Sequence, residues 1–222
     1  MTPQARGYFI TGTDTSVGKT FVTQLLLQAL NQQGIRSLGM KPVAAGAEMI
    51  DGQLANDDAL VLAQAGCCEL PYDWINPVLL PLPVAPHIAA ERAHISIDLP
   101  LIQQAYAKLA VQADVVLVEG AGGWLVPLSD SLDMSDLARC LDLPVILVVG
   151  MRLGCINHAL LSVRAIQSSG LVLHGWIANA VDAQMLEYPA NLLALQQRIN
   201  APLLAQIAHR ADSLPPGCDV RL

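Results

Sequence analysis

The chain has 222 residues, 53% of them apolar, and its 19 acidic and 12 basic side chains leave a formal charge of −7. That length favours one domain, 1–222, able to bury a sizeable core, and the acidic balance argues against broad binding to a nucleic-acid backbone. No apolar run approaches the roughly 20 residues of a membrane-spanning helix, and five cysteines without a CxxC pair or zinc-like spacing argue against a disulfide framework or structural metal.

The N-terminus, MTPQARGYFITG, enters a strand pattern almost at once and lacks the apolar core of a secretory signal, which implies a cytoplasmic protein. GYFITG (7–12) is the first predicted strand, and Lys19 to Gln33 the helix that follows. SLGMKPV (37–43) is the second strand, stopped by a Lys-Pro that cannot continue a helix. A helix is expected near 56–66, followed by the adjacent thiols Cys67 and Cys68, packed or at the surface. The Pro-rich NPVLLPLPVAPH (76–87) is expected as one extended loop; being apolar, it needs something to pack against.

Further on, a helix is expected at 98–112, a third strand at ADVVLVEGAGG (113–123), and a helix at 133–142. LPVILVVG (143–150) is a fourth strand, 155–169 a helix and LHGWIANAV (173–181) a fifth strand; a helix near 185–200 and a strand at 201–208 complete the series. VVLV and VILVV are apolar on both faces, as in a parallel sheet covered on each side. Alternation of this kind predicts a doubly wound, mostly parallel α/β domain with helices on both faces.

Thr11–Thr20 reads TGTDTSVGKT, between a strand and a helix, the setting of a P-loop. The loop Gly12, Thr13, Asp14, Thr15, Ser16, Val17, Gly18 would bring backbone N–H groups and a helix N-terminus onto phosphate oxygens. Lys19 adds a mobile cation and Thr20 a hydroxyl for Mg²⁺. Five residues separate Gly12 from Gly18, where the common motif has four.

Lysine occurs only at 19, 41 and 108, and Lys41 falls at the carboxyl end of a strand, the edge where open α/β sheets bind ligands. A cation there suits a carboxylate, a carbamate or a transferring phosphoryl group. Glu119 ends a buried strand in VLVEGAGG, where an acid needs either a metal or loop N–H groups. In Asn56-Asp57-Asp58 the acids suit either a metal or a helix start capped by Asn56, with capping the better reading of the residues alone. LGCINHAL (153–160) starts a helix whose N–H groups at Gly154 to Asn157 suit a carboxylate. Cys155 and His158 have no orienting acid, which argues against a thiol nucleophile. Asn179 can read a nucleobase edge, but Ala180 stands where the guanine-reading motif of GTPases carries Lys.

Taken together, TGTDTSVGKT, GMKPVAAG, NDDALVL, VEGAGGW, LPVILVVG, LGCINHA and GWIAN resemble, in order from about residue 7 to 181, the dethiobiotin synthase family of P-loop NTPase-type enzymes. The resemblance implies an ATP- and Mg²⁺-dependent ring closure. One amine of diaminopelargonic acid captures CO₂, the resulting carbamate attacks the γ-phosphorus of ATP, and the other amine closes the ureido ring. It further implies Lys19, Lys41 and Thr15 at the reacting centre, with Thr20, Asp58 and Glu119 around Mg²⁺. On the same grounds Asn179 lies on adenine and the loop near Pro81 along the substrate chain. Gly154, Cys155 and Asn157 are implied at a homodimer interface, binding the substrate carboxylate of the partner's active site.

Three departures from the family pattern stand out: Ser16 where Glu is common, Ala45 where Ser is common, and AQIAHRA in place of a Pro-containing segment beside the base. A paralogue of low activity would carry such changes. A partition- or septum-type regulatory ATPase would instead carry a second Lys near the start of the P-loop and an amphipathic basic tail. TGTDTSVGKT and the C-terminal PPGCDVRL have neither.

Overall fold

The computed structural model describes residues 5–50 and 52–215. The C-terminal PPGCDVRL therefore lies outside the described residues but for its first proline. In chain order, β1 (Arg6–Gly12), α1 (Lys19–Gln32) and β2 (Ser37–Met40) come first. The short strands β3 (Val43–Ala45), β4 (Glu48–Ile50) and β5 (Gln53–Ala55) lead to α2 (Asp57–Ala65) and the single turn α3 (Tyr72–Ile75). Then come β6 (Val78–Leu80), α4 (Pro86–Ala93), α5 (Leu99–Ala110), β7 (Val115–Gly123) and α6 (Met134–Leu141). The chain continues through β8 (Val145–Gly150), α7 (Cys155–Ser168), β9 (Leu173–Asn179), α8 (Tyr188–Gln196) and β10 (Leu203–Ile207).

Six strands form one sheet in the order β10-β9-β8-β1-β7-β2, every neighbouring pair parallel. Successive residues of each central strand enter opposite cores, as the period of two requires. Phe9, Val118 and Leu147 face α4 to α8, whereas Tyr8, Ile10, Leu117 and Val148 face the leucines of α1 and α2. Covering on both faces accounts for the unbroken apolar runs, and the architecture is the expected doubly wound one.

Most departures from the sequence reading lie near prolines. The stretch 37–43 is two strands: the Lys41 N–H leaves the sheet to bond Ile75 O at 2.8 Å, and Pro42 has no N–H to extend the ladder. Val43–Ala45 instead pairs with Val78–Leu80 in a separate two-stranded sheet. Residues 76–87 are thus not one extended loop but hold β6 and the first turn of α4, where the missing N–H of Pro86 costs nothing. The helix expected at 185–200 is shorter, Tyr188–Gln196, opened by Pro189 in its first turn, and the strand at 173–181 ends at Asn179. Among the described residues no helix is long and apolar enough to cross a membrane.

Candidate active site

β7 was inserted between β1 and β2, so three adjacent strand ends each deliver one polar group to the carboxyl edge of the sheet. The loop after β1 curls around Val17, which packs where a side chain at Gly12 or Gly150 would collide with it. Thr13 N–H bonds Val148 O at 3.0 Å, and Gly150 N–H bonds Thr13 Oγ1 at 3.4 Å, tying the start of the loop to β8. At its end the Asn179 amide donates to Val17 O at 2.8 Å. Gly18 then turns into α1 with φ of 82°, a left-handed conformation that favours glycine. No acid sits in the first turn of α1, so the positive end of its dipole is left for a ligand. Ser16 also lies in the left-handed region, with φ of 58°, a cost that glycine would avoid.

At the floor of the site lies a compact ionic cluster. Glu119 is fully buried, and its Oε1 accepts both Lys41 Nζ at 2.6 Å and Thr20 Oγ1 at 2.7 Å. Its Oε2 is buried with no hydrogen-bond partner among the described residues. Lys41 also donates to Asp58 Oδ2 at 2.8 Å. Lys41 is itself pinned from behind, since Asn76 Nδ2 donates to its carbonyl at 2.7 Å and Tyr72 donates to Asn76 Oδ1 at 3.1 Å. Asn56 caps α2 by accepting Ala59 N–H at 3.3 Å. Within Asn56-Asp57-Asp58, then, Asn56 is the cap, as the residues alone suggested, while Asp58 faces the ionic cluster.

The charges sort themselves accordingly. Burial pulls the Lys41 ammonium toward neutrality, but Glu119 and Asp58 outweigh it and its pKa is raised. Asp58 is raised by burial and lowered more by Lys41, Thr20 and Lys19, ending below the usual carboxylate value. Lys19 lacks such a partner. Burial, and then the Lys41 charge, outweigh the surrounding acids and bring its pKa down to about 8. Its Nζ rests on Asp14 O at 3.2 Å. The site thus holds one satisfied lysine and one that awaits an anion.

Above the cluster opens a cavity of about 760 Å³ lined by Thr15, Ser16, Gly18, Lys19, Thr20, Lys41, Ala45 and Asp58, among others. An opposing wall comes from the Pro-rich segment, though through Pro83, Val84, Ala85 and Pro86; Pro81 is exposed and does not line it. A second cavity of about 510 Å³ shares Ser16, Gly18 and Phe21 with the first and adds Asn179, His209 and Arg210. Gly154, Cys155 and Asn157 line neither. Gly154 opens α7 in a left-handed turn, Asn157 is exposed, and the Cys155 side chain is buried with its N–H spent on Arg152 O. Sequence reasoning missed Phe21, the Tyr72–Asn76 support behind Lys41, and Arg152, whose guanidinium meets Asp14. Phe21 was within reach of the motif, two residues beyond its Lys; the others carry no local signal.

Comparison with known proteins sharpens this picture. A family model described as an AAA domain matches residues 6–216. An ATP-dependent dethiobiotin synthetase BioD from Aromatoleum aromaticum is 54% identical over 212 residues, covering 96% of this chain and 94% of the relative. Its namesake from Nitrosospira multiformis is 52% identical over 199 residues, 90% and 86% of the two chains. One from Xylella fastidiosa is 47% identical over 210 residues, 95% and 91%. Among solved structures, the septum site-determining protein MinD from Pyrococcus horikoshii, complexed with Mg-ADP, superposes with a TM-score of 0.57 at 21% identity, covering 92% of this chain and 81% of that one. Chloroplast FtsY from Physcomitrella patens gives 0.60 at 17% identity, covering 97% of this chain, which spans 63% of that protein's length. These two share the fold.

Proposed function

Because the chain belongs to the ATP-dependent dethiobiotin synthetase family, we propose that it converts 7,8-diaminopelargonic acid, CO₂ and ATP into dethiobiotin, ADP and phosphate. One substrate amine adds to CO₂ and loses a proton, giving a carbamate. A carbamate oxygen then forms a bond to the γ-phosphorus as the bond to the ADP oxygen breaks. The second amine attacks the carbonyl of the mixed anhydride, phosphate leaves, and the ureido ring is closed.

The observation that carries this reading is the meeting of Lys19 and Lys41 at one cavity, above Glu119 and Asp58. Two anions, carbamate and triphosphate, must be brought together, and each needs its charge offset. Lys19, stripped of a counter-ion, suits the γ-phosphate and the carbamate. Lys41, released from one of its carboxylates, suits the carbamate and the transferring phosphoryl. Thr15 and the loop amides line the same space, and Asn179 borders the neighbouring cavity, which has the place expected of the base.

Mg²⁺ fits the donors present: Thr20 Oγ1, Asp58 and the unpartnered Glu119 Oε2 are hard oxygens. Among the described residues no three His, Cys, Asp or Glu side chains cluster at metal distance, so phosphate oxygens and water would complete the shell. When bound, the ion neutralises charge on the β- and γ-phosphates.

A homodimer in the cytoplasm completes the reading. Leu153 and Leu186 are 93% and 87% exposed, apolar surface that an interface between two copies would cover. Gly154 and the exposed Asn157 beside Leu153 would then serve the partner's active site, whereas Cys155, buried and with its N–H spent on Arg152 O, would not. The test is to mix the protein with the diamine, bicarbonate, Mg²⁺ and ATP: dethiobiotin and ADP form in equal amounts. ATP turnover indifferent to the diamine would point instead to a nucleotide switch.

A further inference from the structure

Asp14 is the second residue of the long spacer between Gly12 and Gly18, and three bonds converge on it. Its Oδ1 accepts Thr15 N–H at 2.7 Å, its carbonyl accepts Lys19 Nζ at 3.2 Å, and its Oδ2 accepts Arg152 Nη2 at 2.6 Å. Thr15 and Lys19 are the two loop residues assigned above to the reacting centre. Arg152 comes from outside the loop, 138 positions along the chain, in the turn between β8 and α7. We infer that Arg152 is a positioning residue for the reaction: through Asp14 it sets where Thr15 and Lys19 meet the γ-phosphate.

The physical case rests on what else holds the loop. Its first part is tied to β8 through Thr13, and its last part to β9 through the Asn179–Val17 bond. Between these anchors, Arg152 is the group among the described residues that ties the Asp14 side chain to a segment beyond the loop. A spacer one residue longer than usual needs such a brace, because the added residue adds conformations as well as reach. The bond is a charge-assisted pair of short length. It is also 39 and 47% exposed at its two side chains, so its contribution to global stability is small. What it governs is local geometry, where a displacement of about 1 Å is felt strongly in rate.

Because the ends of the loop are held independently, the effect divides in a characteristic way. Contacts to the α- and β-phosphates persist without Arg152, whereas contacts to the γ-phosphate degrade. The inference deepens the proposed function and rests on it for the reaction, but not for nucleotide binding. Two measurements therefore separate them: the affinity ratio of AMP-PNP to ADP, and the turnover number for dethiobiotin. In Arg152→Ala the ratio falls by about 3- to 10-fold while ADP affinity stays within about twofold, and turnover falls by a similar factor. Arg152→Lys recovers most of both. Asp14→Asn matches Arg152→Ala, and the double variant is no worse than either. In about 0.5 M salt the gap between wild type and Arg152→Ala narrows, since the exposed pair is screened.

An unchanged ratio in a folded Arg152→Ala protein overturns the inference, as do ADP and AMP-PNP weakening in parallel or an additive double variant. Thermal midpoints within a few degrees of wild type verify that folding is intact. Should wild type form no dethiobiotin, the reaction reading fails, while the affinity ratio still decides the role of Arg152.

Discussion

Replacing Lys41 by Met is the most telling perturbation of the ionic cluster. Met fills much of the same volume but removes the ammonium that lies 2.6 Å from Glu119 and 2.8 Å from Asp58. Glu119 is fully buried and would keep only the Thr20 hydroxyl. Removing one partner of a buried ion pair costs about 3–5 kcal/mol, because the other charge is left uncompensated. For a chain of this size that is about 6–20 °C in thermal midpoint, a large part of a total stability of about 5–15 kcal/mol. The raised pKa of Lys41 fixes the pH window: its contribution is fully present below the ordinary lysine value of 10.5 and is lost only as pH rises above it. Melts at pH 7 therefore read the whole effect. Lys41→Met combined with Glu119→Gln should recover most of the loss, since a neutral amide needs hydrogen bonds but no counter-ion. Ring closure should fall severely in the single variant while ADP binding, resting on Lys19 and the loop amides, is largely kept. A single variant within about 1 kcal/mol of wild type, or a double variant no more stable than the single, would refute the electrostatic reasoning.

Lys19 has a pKa of about 8 without ligand, and an anion beside it will raise that value. Nucleotide binding at pH 8.5 should therefore take up on the order of one proton, measured calorimetrically in buffers of different ionisation enthalpy, and Lys19→Met should abolish the uptake. Ala45 lines the cavity beside Lys41, so Ala45→Ser places a hydroxyl near the carbamate site. Steady-state kinetics should show a lower KM for the diamine by a fewfold, in keeping with about 1 kcal/mol per added hydrogen bond; no change makes Ala45 neutral. Leu153→Glu should shift the protein from dimer to monomer in sedimentation and lose turnover with little loss of nucleotide binding. A monomeric wild type removes the proposed sharing of Gly154 and Asn157 between sites.

How much of this was legible in the sequence follows from the range of each interaction. The six strands of the main sheet were marked by runs such as VVLV and VILVV, whose two-sided apolarity has no other economical use in a folded chain. The P-loop was marked because its function is local: ten consecutive residues hold the turn, the lysine and the helix start. The small strands β3 to β6 were not marked. At three residues each they are too short to show alternation, and β3 pairs with β6 across an intervening hairpin and two helices. The Lys-Pro read as the end of the second strand in fact hands the chain from one sheet to another at Pro42.

The site divides along the same line. Lys41, Asp58 and Glu119 could each be nominated from position on a strand end or helix start, but not their mutual arrangement, which needs β7 to lie between β1 and β2. Asn56-Asp57-Asp58 was read as a choice between cap and ligand because sequence gives no direction to a side chain. On the first turn of a helix, residues two apart point to different sides: Asn56 caps α2 while Asp58 faces Lys41. Arg152 shows the limit most clearly. Nothing within the surrounding MRLG marks it as anything but a surface arginine, because its meaning is supplied by Asp14, 138 positions earlier. The long spacer that looked like an irregularity of the P-loop is therefore only half of a device. Thr15 and Ser16 of that spacer line the cavity, and Arg152, from the neighbouring strand end, holds Asp14 between the loop's two anchors.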